Sequence, residues 1–444
     1  MKNKPLHVLL LLAATTILSS ATAQVPLLLN YHQIGVSAIL THAPSPETLN
    51  EHVENLHNHK YHLSSSTRFL NDVTTNGSRV ALITFDDGFK SVLENAFPIL
   101  NRNKVTATAF IIADKIGEPG YLTEDDLKFL HEHGWEIGNH TLTHAALTDV
   151  RPSTIREEIS RTNEILESIT GEKPTCVAYP YGLHDAVVRE VVSELNDCAF
   201  TTAPYVATGS ESERYSIPRP PLSGQDNTAL RNGTRAPSIV MMTVGVSMLT
   251  WPLPDDAPVG APPSFWTPSE YRTLGDGRYK LNITPGGVQH ELSVRHDNMA
   301  LHLLHGRGAQ RAHAISLASN HGPLTIAGSY VAGEGPGLAL SYDLGNRTEP
   351  WAHYTLNGGL RAGVRFVPLD YTSVQLAWHH QQRNFAAEAT LPIPILPGEG
   401  YPLRAAIGYD DNAYAHLSFR AGGNALGARV GADGTVGVTL NLRW

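Results

Sequence analysis

A change of pattern near residue 230 constrains the fold more than any other feature of this 444-residue chain. Before it, short apolar runs alternate with segments of helical periodicity. This predicts an α/β domain with a mostly parallel sheet, open or closed into a barrel. The apolar runs are Leu27–Tyr31, Val80–Thr84, Ala107–Ile112, Trp135–Gly138 and Thr175–Tyr179. The helical segments are Phe89–Asn101, Glu124–His133, Ser153–Thr170 and Val187–Asn196.

After the change, the chain consists of short alternating segments, which predict an all-β domain of ~10–14 strands. They include Tyr279–Ile283, Val288–Val294, Ala312–Ala318, Leu324–Tyr330, Leu338–Tyr342, Ala352–Leu356, Val374–Trp378, Ala413–Phe419 and Thr435–Leu442. A water-soluble sandwich and a transmembrane β-barrel both fit this pattern. Small or polar residues at alternate positions, aromatic residues near strand ends and the final Trp444 favour the barrel.

The sequence predicts two domains behind a secretion signal. Lys2 and Lys4 precede the apolar run Leu9–Leu18 and the motif Ala21-Thr22-Ala23, which is typical of a signal peptide at residues 1–23. An uncleaved membrane anchor is the alternative. We place the α/β domain at 24–222, a linker rich in Pro, Gly, Asn and Thr at 223–237, and the all-β domain at 238–444.

Charge and cysteine content limit the class of protein. The formal net charge is −9 and no block of Lys or Arg is present, so the chain lacks the electrostatic footprint of a nucleic-acid-binding protein. Cys176 and Cys198 both fall in strand-like segments. In an exported protein they could form a disulfide, and two buried free thiols are the alternative.

The first chemical signal is Asp86-Asp87-Gly88, which follows the apolar run ending at Phe85. Sites in parallel-sheet proteins assemble at the carboxyl ends of strands. Two adjacent carboxylates there repel each other unless a positive charge lies beside them. A metal ion bound by one carboxylate would meet this need and leave the other free as a base. An ordinary Asp-Asp-Gly turn is the alternative.

Two further motifs follow other predicted strands. His140 and His144 are four residues apart, which is a spacing suited to a divalent metal such as zinc, although a pair of surface histidines would look the same. The turn Tyr179-Pro180-Tyr181-Gly182 is able to direct a backbone N–H at a developing oxyanion. Two metal-ligand motifs at strand ends of one α/β domain favour a shared site.

Taken in order, TFDDG, HTLTH and YPYG resemble the three motifs of carbohydrate esterase family 4, the polysaccharide deacetylases. The opening segment Leu28–Ile34, with Tyr31 and His32, resembles the subgroup that acts on poly-β-1,6-N-acetylglucosamine. The resemblance covers about residues 25–225 and implies a deformed (β/α) barrel. It also implies that Asp86 is the general base and that Asp87, His140 and His144 bind the metal.

The resemblance assigns further roles. The backbone N–H of Tyr181 would stabilise the oxyanion, and His32 would act as the general acid. Pro180 would lie against substrate. The family's usual arginine two residues before this proline is replaced by Ala178, so Arg219 is a candidate partner for the base and for substrate; a surface arginine in a Pro-rich segment is the alternative. Zinc is the expected metal, with nickel, cobalt or iron as alternatives.

The resulting hypothesis is an exported, metal-dependent hydrolase that removes N-acetyl groups from an N-acetylglucosamine polysaccharide. A barrel would anchor it among outer-membrane lipids, facing the periplasm, near polysaccharide export machinery. The alternative location is outside the cell, as a secreted enzyme. An O-acetyl esterase acting on xylan or another acetylated glycan, and a non-catalytic glycan-binding or export protein, are the alternative functions.

Overall fold

The computed structural model describes residues 26–35, 43–77, 79–202, 207 and 210–219 of the first half. In the second half it describes residues 277–443 except 285–286, 297–298, 309–312, 322, 346, 381–383, 394–402, 411–412 and 422–423. The predicted signal peptide, the predicted linker at 223–237 and Trp444 lie outside the described residues.

The first half is an α/β domain built on a parallel sheet. In the described residues the sheet has eight strands in the order β1-β3-β4-β5-β6-β7-β8, and β2 pairs with β3. The strands are β1 (Leu27–Tyr31), β2 (His62–Leu63), β3 (Val80–Phe85), β4 (Thr108–Ile111), β5 (Glu136–Asn139), β6 (Cys176–Ala178), β7 (Cys198–Thr201) and β8 (Ile217–Pro218). This confirms the α/β class and the five strands predicted before residue 180.

Helices cover the sheet. They are α1 (Pro46–Asn58), α2 (Phe69–Asn76), α3 (Phe97–Arg102), α4 (Glu124–Glu132), α5 (Pro152–Thr170) and α6 (Ala186–Leu195). Short 3₁₀ turns are Ala113–Lys115, Leu147–Asp149, Pro180–Gly182 and Glu211–Glu213. The helix expected at Phe89–Asn101 is instead a π-helical turn, Val92–Ala96, followed by α3, because Pro98 cannot donate to the preceding turn.

Local sequence explains where these elements begin and end. Helix α4 starts with a capping box in which Thr123 and Asp126 satisfy each other's backbone N–H groups. Helix α5 begins at a proline and ends at Gly171 in the left-handed conformation. Strands β1 and β3 are buried along their whole length, as expected for a parallel sheet that is covered on both faces.

Cys176 and Cys198 form a disulfide. They lie directly opposite each other on β6 and β7, which are neighbouring parallel strands. Of the two alternatives left open by the sequence, the paired state is therefore the one that the fold adopts.

The second half is a closed antiparallel barrel. In the described residues it has 14 strands, each paired with the next, and β22 pairs with β9. The strands are β9 (Gly277–Thr284), β10 (Gly287–His296), β11 (Met299–Gly308), β12 (His313–His321), β13 (Leu324–Val331), β14 (Gly335–Tyr342), β15 (Glu349–Thr355), β16 (Gly359–Phe366), β17 (Ser373–His379), β18 (Asn384–Pro392), β19 (Leu403–Asp410), β20 (Ala413–Ala421), β21 (Asn424–Gly431) and β22 (Val436–Arg443).

Alternation along the strands separates two faces of the barrel. On β12, Ala314, Ser316 and Ala318 are buried, whereas Ile315 and Leu317 are 46% and 50% exposed. A sandwich would bury its apolar face in a core, so the exposed apolar face decides for the barrel. Among the described helices, none has both the length and the apolar character needed to cross a membrane.

The even strand number places both ends of the barrel chain at one end, which we call the terminal end. The chain enters β9 and leaves β22 there. The loops that follow β14 and β16, residues 343–348 and 367–372, lie at the same end because every second strand returns to it. The α/β domain contacts these two loops through hydrogen bonds to Arg347 and Asp370.

Candidate active site

The chemistry-bearing residues follow the carboxyl ends of strands on one edge of the parallel sheet. His32 follows β1, Asp86 and Asp87 follow β3, His140 follows β5, Pro180 and Tyr181 follow β6, and Arg219 follows β8. Because neighbouring parallel strands end at the same edge, the fold brings these distant segments together.

Asp87, His140 and His144 form a triad suited to a metal ion. Oδ1 of Asp87 lies 3.3 Å from Nε2 of His140 and 3.6 Å from Nε2 of His144. One ligand atom from each of the three residues lies within 4.8 Å of the others. Nδ1 of His140 hydrogen-bonds the carbonyl oxygen of Ala178 at 2.7 Å, which orients Nε2 toward Asp87.

The electrostatics of the triad also fit a divalent cation. Burial alone would raise the pKa of Asp87, but the rings of His140, His32 and His144 outweigh it and hold the pKa far below its ordinary value. Burial would lower the pKa of His140, and the two carboxylates raise it instead. Oδ1 of Asp87 is buried and faces Nε2 of both His140 and His144. A buried anionic oxygen facing two imidazoles is a nitrogen–oxygen donor set of the kind that binds zinc.

Asp86 is held as a carboxylate by Arg219. The guanidinium donates from Nη1 to Oδ1 at 2.7 Å and from Nη2 to Oδ2 at 2.9 Å. Nη1 also donates to Asn30 at 2.9 Å and to Thr84 at 2.5 Å, and the arginine is only 1% exposed. Burial raises the pKa of Asp86, but Arg219, His140 and His32 more than offset it, so the pKa lies below its ordinary value. The arginine is thus buried against Asp86, and not at the surface.

The turn between His140 and His144 depends on two polar side chains that we did not single out from the sequence. Glu158 of α5 accepts hydrogen bonds from the backbone N–H groups of residues 142 and 143, both at 2.9 Å. Asn139 accepts from the N–H of Thr141 at 2.8 Å. The sequence did contain a signal, because Glu158 interrupts the apolar face of α5 and is buried there.

Strained backbone accompanies the site. Asp87, His144 and Tyr181 have φ values of 71°, 62° and 59°, a region that residues other than glycine rarely adopt. The turn at Tyr181 also needs Gly182, since a Cβ at that position would lie 2.6 Å from the backbone nitrogen of Thr202. The ring of Tyr181 contacts that of His144 edge to face, with centroids 4.6 Å apart.

His32 and Trp135 differ in their surroundings. His32 is exposed at the end of β1, and its charge acts on both Asp86 and Asp87. This position is compatible with the acid role that the resemblance implies, which stays a prediction. Trp135 is 2% exposed and stacks on Phe85 in the core, so its role is packing.

Replacement of Arg219 by methionine is expected to shift the pH dependence of activity. Without the guanidinium the pKa of Asp86 rises, so the base is lost at a higher pH and the acid limb moves up by about 1–3 pH units. The measurement is a pH–rate profile of kcat/KM. Arg214→Met is a matched control, because this partly exposed arginine pairs with Glu211 in the same segment. An unchanged acid limb in Arg219→Met would contradict the pairing's role.

The first domain is similar in sequence to polysaccharide deacetylases. Residues 73–197 match the polysaccharide deacetylase family. YxkH of Bacillus subtilis, which is named only provisionally as a polysaccharide deacetylase, is 27% identical over 210 residues, 46% of this chain and 74% of that protein. The poly-β-1,6-N-acetyl-D-glucosamine N-deacetylase of Staphylococcus aureus is 28% identical over 155 residues, 32% of this chain and 53% of its own length.

Among solved structures, IcaB from Ammonifex degensii overlays with a TM-score of 0.42 at 20% identity, covering 48% of this chain and 97% of that one. The chain spans about half the length of the staphylococcal relative. The family match contains Asp86 and the whole triad of Asp87, His140 and His144. The part of the chain that matches the family, residues 73–197, is therefore identified as belonging to a polysaccharide deacetylase domain, a hydrolase domain that a closed β-barrel follows in the same chain.

Proposed function

We propose that this protein removes N-acetyl groups from an N-acetylglucosamine polymer, of the poly-β-1,6-linked kind, in a reaction that depends on one divalent metal ion. The observation that carries the proposal is a second carboxylate, Asp86, kept ionised by Arg219 beside the triad of Asp87, His140 and His144. The staphylococcal relative, which is named for this polymer, supports the choice of substrate.

The residues of the chain divide the work of amide hydrolysis. Asp86 accepts a proton from the attacking water, and its pairing with Arg219 keeps it unprotonated until then. The backbone N–H of Tyr181 donates to the oxygen on which negative charge develops. His32 gives a proton to the leaving nitrogen, so that water and the amide yield acetate and an amine.

Asp87, His140 and His144 would hold the metal ion, and Ala178 would keep the first imidazole in the required tautomer. When bound, a divalent ion supplies Lewis acidity toward the acetyl carbonyl and makes the attacking water more acidic. Zinc suits this ligand set, and nickel, cobalt or iron would also be accepted.

We further propose that the barrel anchors the enzyme in an outer membrane, with the deacetylase domain in the periplasm. The support is the outward apolar face, where Leu338, Ile407 and Leu417 are 53%, 65% and 50% exposed. Contiguous apolar surface of this kind is rare on soluble proteins and is covered by lipid in membrane barrels. Both chain ends of such barrels face the periplasm, so the terminal end and the deacetylase domain before β9 would lie on that side.

Cell fractionation combined with product analysis tests the proposal. Expressed full-length protein is expected in the outer-membrane fraction, which should release amines from poly-N-acetylglucosamine and lose this activity when a chelator is added. The same fraction should release far less acetate from acetylated xylan. Activity confined to the soluble periplasmic fraction would contradict the anchor. Preference for xylan would identify an O-acetyl esterase instead, and no hydrolysis of either polymer would point to a binding or export protein.

A further inference from the structure

The geometry points to a catalytic domain that is completed by the barrel: the two terminal-end loops, 343–348 and 367–372, hold the backbone that carries the metal triad and the Tyr181 turn. In this account Arg347 and Asp370 are positioning residues for the deacetylase reaction. The inference rests on the proposed function for its effect on activity, but its structural part stands on contacts within the chain.

Arg347 is the centre of the first contact. It belongs to the loop after β14, yet its guanidinium is inserted into the α/β domain and the residue is 4% exposed. Nε donates to the carbonyl oxygen of Val150 at 2.7 Å, and Nη2 donates to that of Leu147 at 2.8 Å. Nη1 donates to Asp185 at 2.5 Å. Three donors of one barrel arginine are thus satisfied by the deacetylase domain.

These acceptors lie next to the catalytic motifs. Leu147 is three residues after His144, and Asp185 is four residues after Tyr181. Asp185 also caps α6 by accepting from the N–H of Val188 at 2.9 Å. One barrel side chain therefore ties together the segment that follows the second motif and the segment that follows the third. A buried guanidinium is tolerated only where its charge and donors are met, so this contact has a single defined geometry.

Asp370 makes the second contact, at the start of α5. Its Oδ1 accepts from the backbone N–H of Arg151 at 2.9 Å and from Nε of the same residue at 3.1 Å. Its Oδ2 accepts from Oγ1 of Thr154 at 2.8 Å. The N-cap position of α5 is Arg151, whose side chain does not cap the helix. A side-chain acceptor at a helix N-terminus satisfies free backbone N–H groups, and here a loop of the barrel supplies that acceptor, the carboxylate of Asp370.

Helix α5 transmits this contact to the triad. Glu158 lies about two turns after the start of α5. Its carboxylate accepts hydrogen bonds from the backbone N–H groups of residues 142 and 143, and from the hydroxyl of Thr143 at 2.7 Å. Those residues form the turn between His140 and His144. The path from Asp370 through α5 to Glu158 and the histidine turn consists of hydrogen bonds and one rigid helix.

The remaining contacts extend the same interface. Arg404, at the start of β19, donates to Asp149 at 2.8 Å, and its guanidinium lies 5.7 Å from the ring centroid of Tyr371. The backbone N–H of Tyr371 donates to the carbonyl oxygen of Asp149 at 2.8 Å. Arg347 and Tyr371 have φ values of 56° and 59°, so both loops adopt strained backbone where they meet the catalytic domain.

Hydrogen exchange on the full-length protein in detergent, without added metal, tests the inference. In Arg347→Gln and Asp370→Asn, the amides of residues 141–151 are expected to exchange at least about 10-fold faster than in the wild type. Arg347→Gln should also accelerate the hydrogen exchange of the amides of residues 183–189. Arg347→Lys keeps the charge but cannot reach three acceptors, so its effect should be intermediate. Amine release by the metal-loaded variants should fall in the same order.

Arg361→Gln is the matched control. This arginine lies near the opposite end of the barrel, where it pairs with Glu334, and it makes no contact with the deacetylase domain in the described residues. Its exchange at 141–151 should equal that of the wild type. Exchange in β10–β12 should stay protected in every variant, which excludes global unfolding as the cause. Unchanged exchange at 141–151 in Arg347→Gln and Asp370→Asn would overturn the inference.

The two proposals fail separately. If wild-type protein releases no amine but the exchange pattern appears, the deacetylase proposal fails and the interface stands. If amine is released but the three interface variants match Arg361→Gln in both exchange and kcat, the barrel does not position the site.

Discussion

Asp86→Asn is expected to lower kcat for amine release by about 10²–10⁴-fold, the usual contribution of a general base. The amide keeps the shape of the carboxylate but cannot accept a proton at neutral pH. Because Asp86 is not one of the three ligand residues, metal binding should persist. Steady-state kinetics on poly-N-acetylglucosamine, with the metal content of each preparation, measures both effects.

Asp72→Asn is the matched control for this substitution. Asp72 is also a buried carboxylate, and it accepts a hydrogen bond from Ser64 at 2.7 Å and pairs with His62 at 3.2 Å. It lies on α2, which does not contribute to the triad. Loss of kcat in both variants would indicate a general effect of removing a buried charge. Full activity in Asp86→Asn would contradict its role as the base.

His140→Ala is expected to abolish activity by removing the metal ion. The substitution deletes a ligand outright, so the affinity for zinc should fall by more than the ~10–100-fold typical of losing a residue that only orients a ligand. It also leaves Asp87 without its nearest imidazole, at 3.3 Å. Competition with a chromophoric chelator measures the affinity, and kinetics at saturating metal measures the residual rate.

His52→Ala controls for the loss of a buried ring. His52 is 1% exposed and hydrogen-bonds the hydroxyl of Tyr31 at 2.7 Å, but it lies outside the triad. The zinc affinity of the His52→Ala variant should equal that of the wild type even if the variant is less stable. Equal zinc affinity in His140→Ala and the wild type would remove His140 from the proposed ligand set.

Much of the fold followed from periodicity. The alternation of strands and helices predicted the parallel sheet. The alternating faces in the second half predicted an all-β domain of ~10–14 strands and favoured a barrel over a sandwich. The structure confirms the α/β class, and the 14 strands described in the second half form a closed barrel. Strands β11, β16, β18, β19 and β21 were not among the segments named from the sequence. In β11 the apolar residues Leu303 and Leu304 stand side by side and hide the alternation. The positions of β16 are largely small or charged.

Some residues of the candidate site were predicted from the sequence, and others became evident only from the fold. Its triad was predicted because each ligand stands in a short motif directly after a strand. The partner of Asp86 was left open, since Arg219 is 133 residues away and only the fold brings the two side chains together. No local sequence pattern predicts the contacts of Arg347 and Asp370. Both residues stand in ordinary loop sequence, and their hydrogen-bond partners lie in the other domain.

The dependence of amine release on bound zinc is measured in wild-type protein, Asp86→Asn and His140→Ala, each prepared without metal and then titrated with zinc. We expect one zinc per chain in the wild type and in Asp86→Asn, with activity rising with occupancy only in the wild type. His140→Ala should show neither stoichiometric zinc nor activity. Amine release by the wild type that does not depend on zinc occupancy would rule out the proposed metal-dependent hydrolysis.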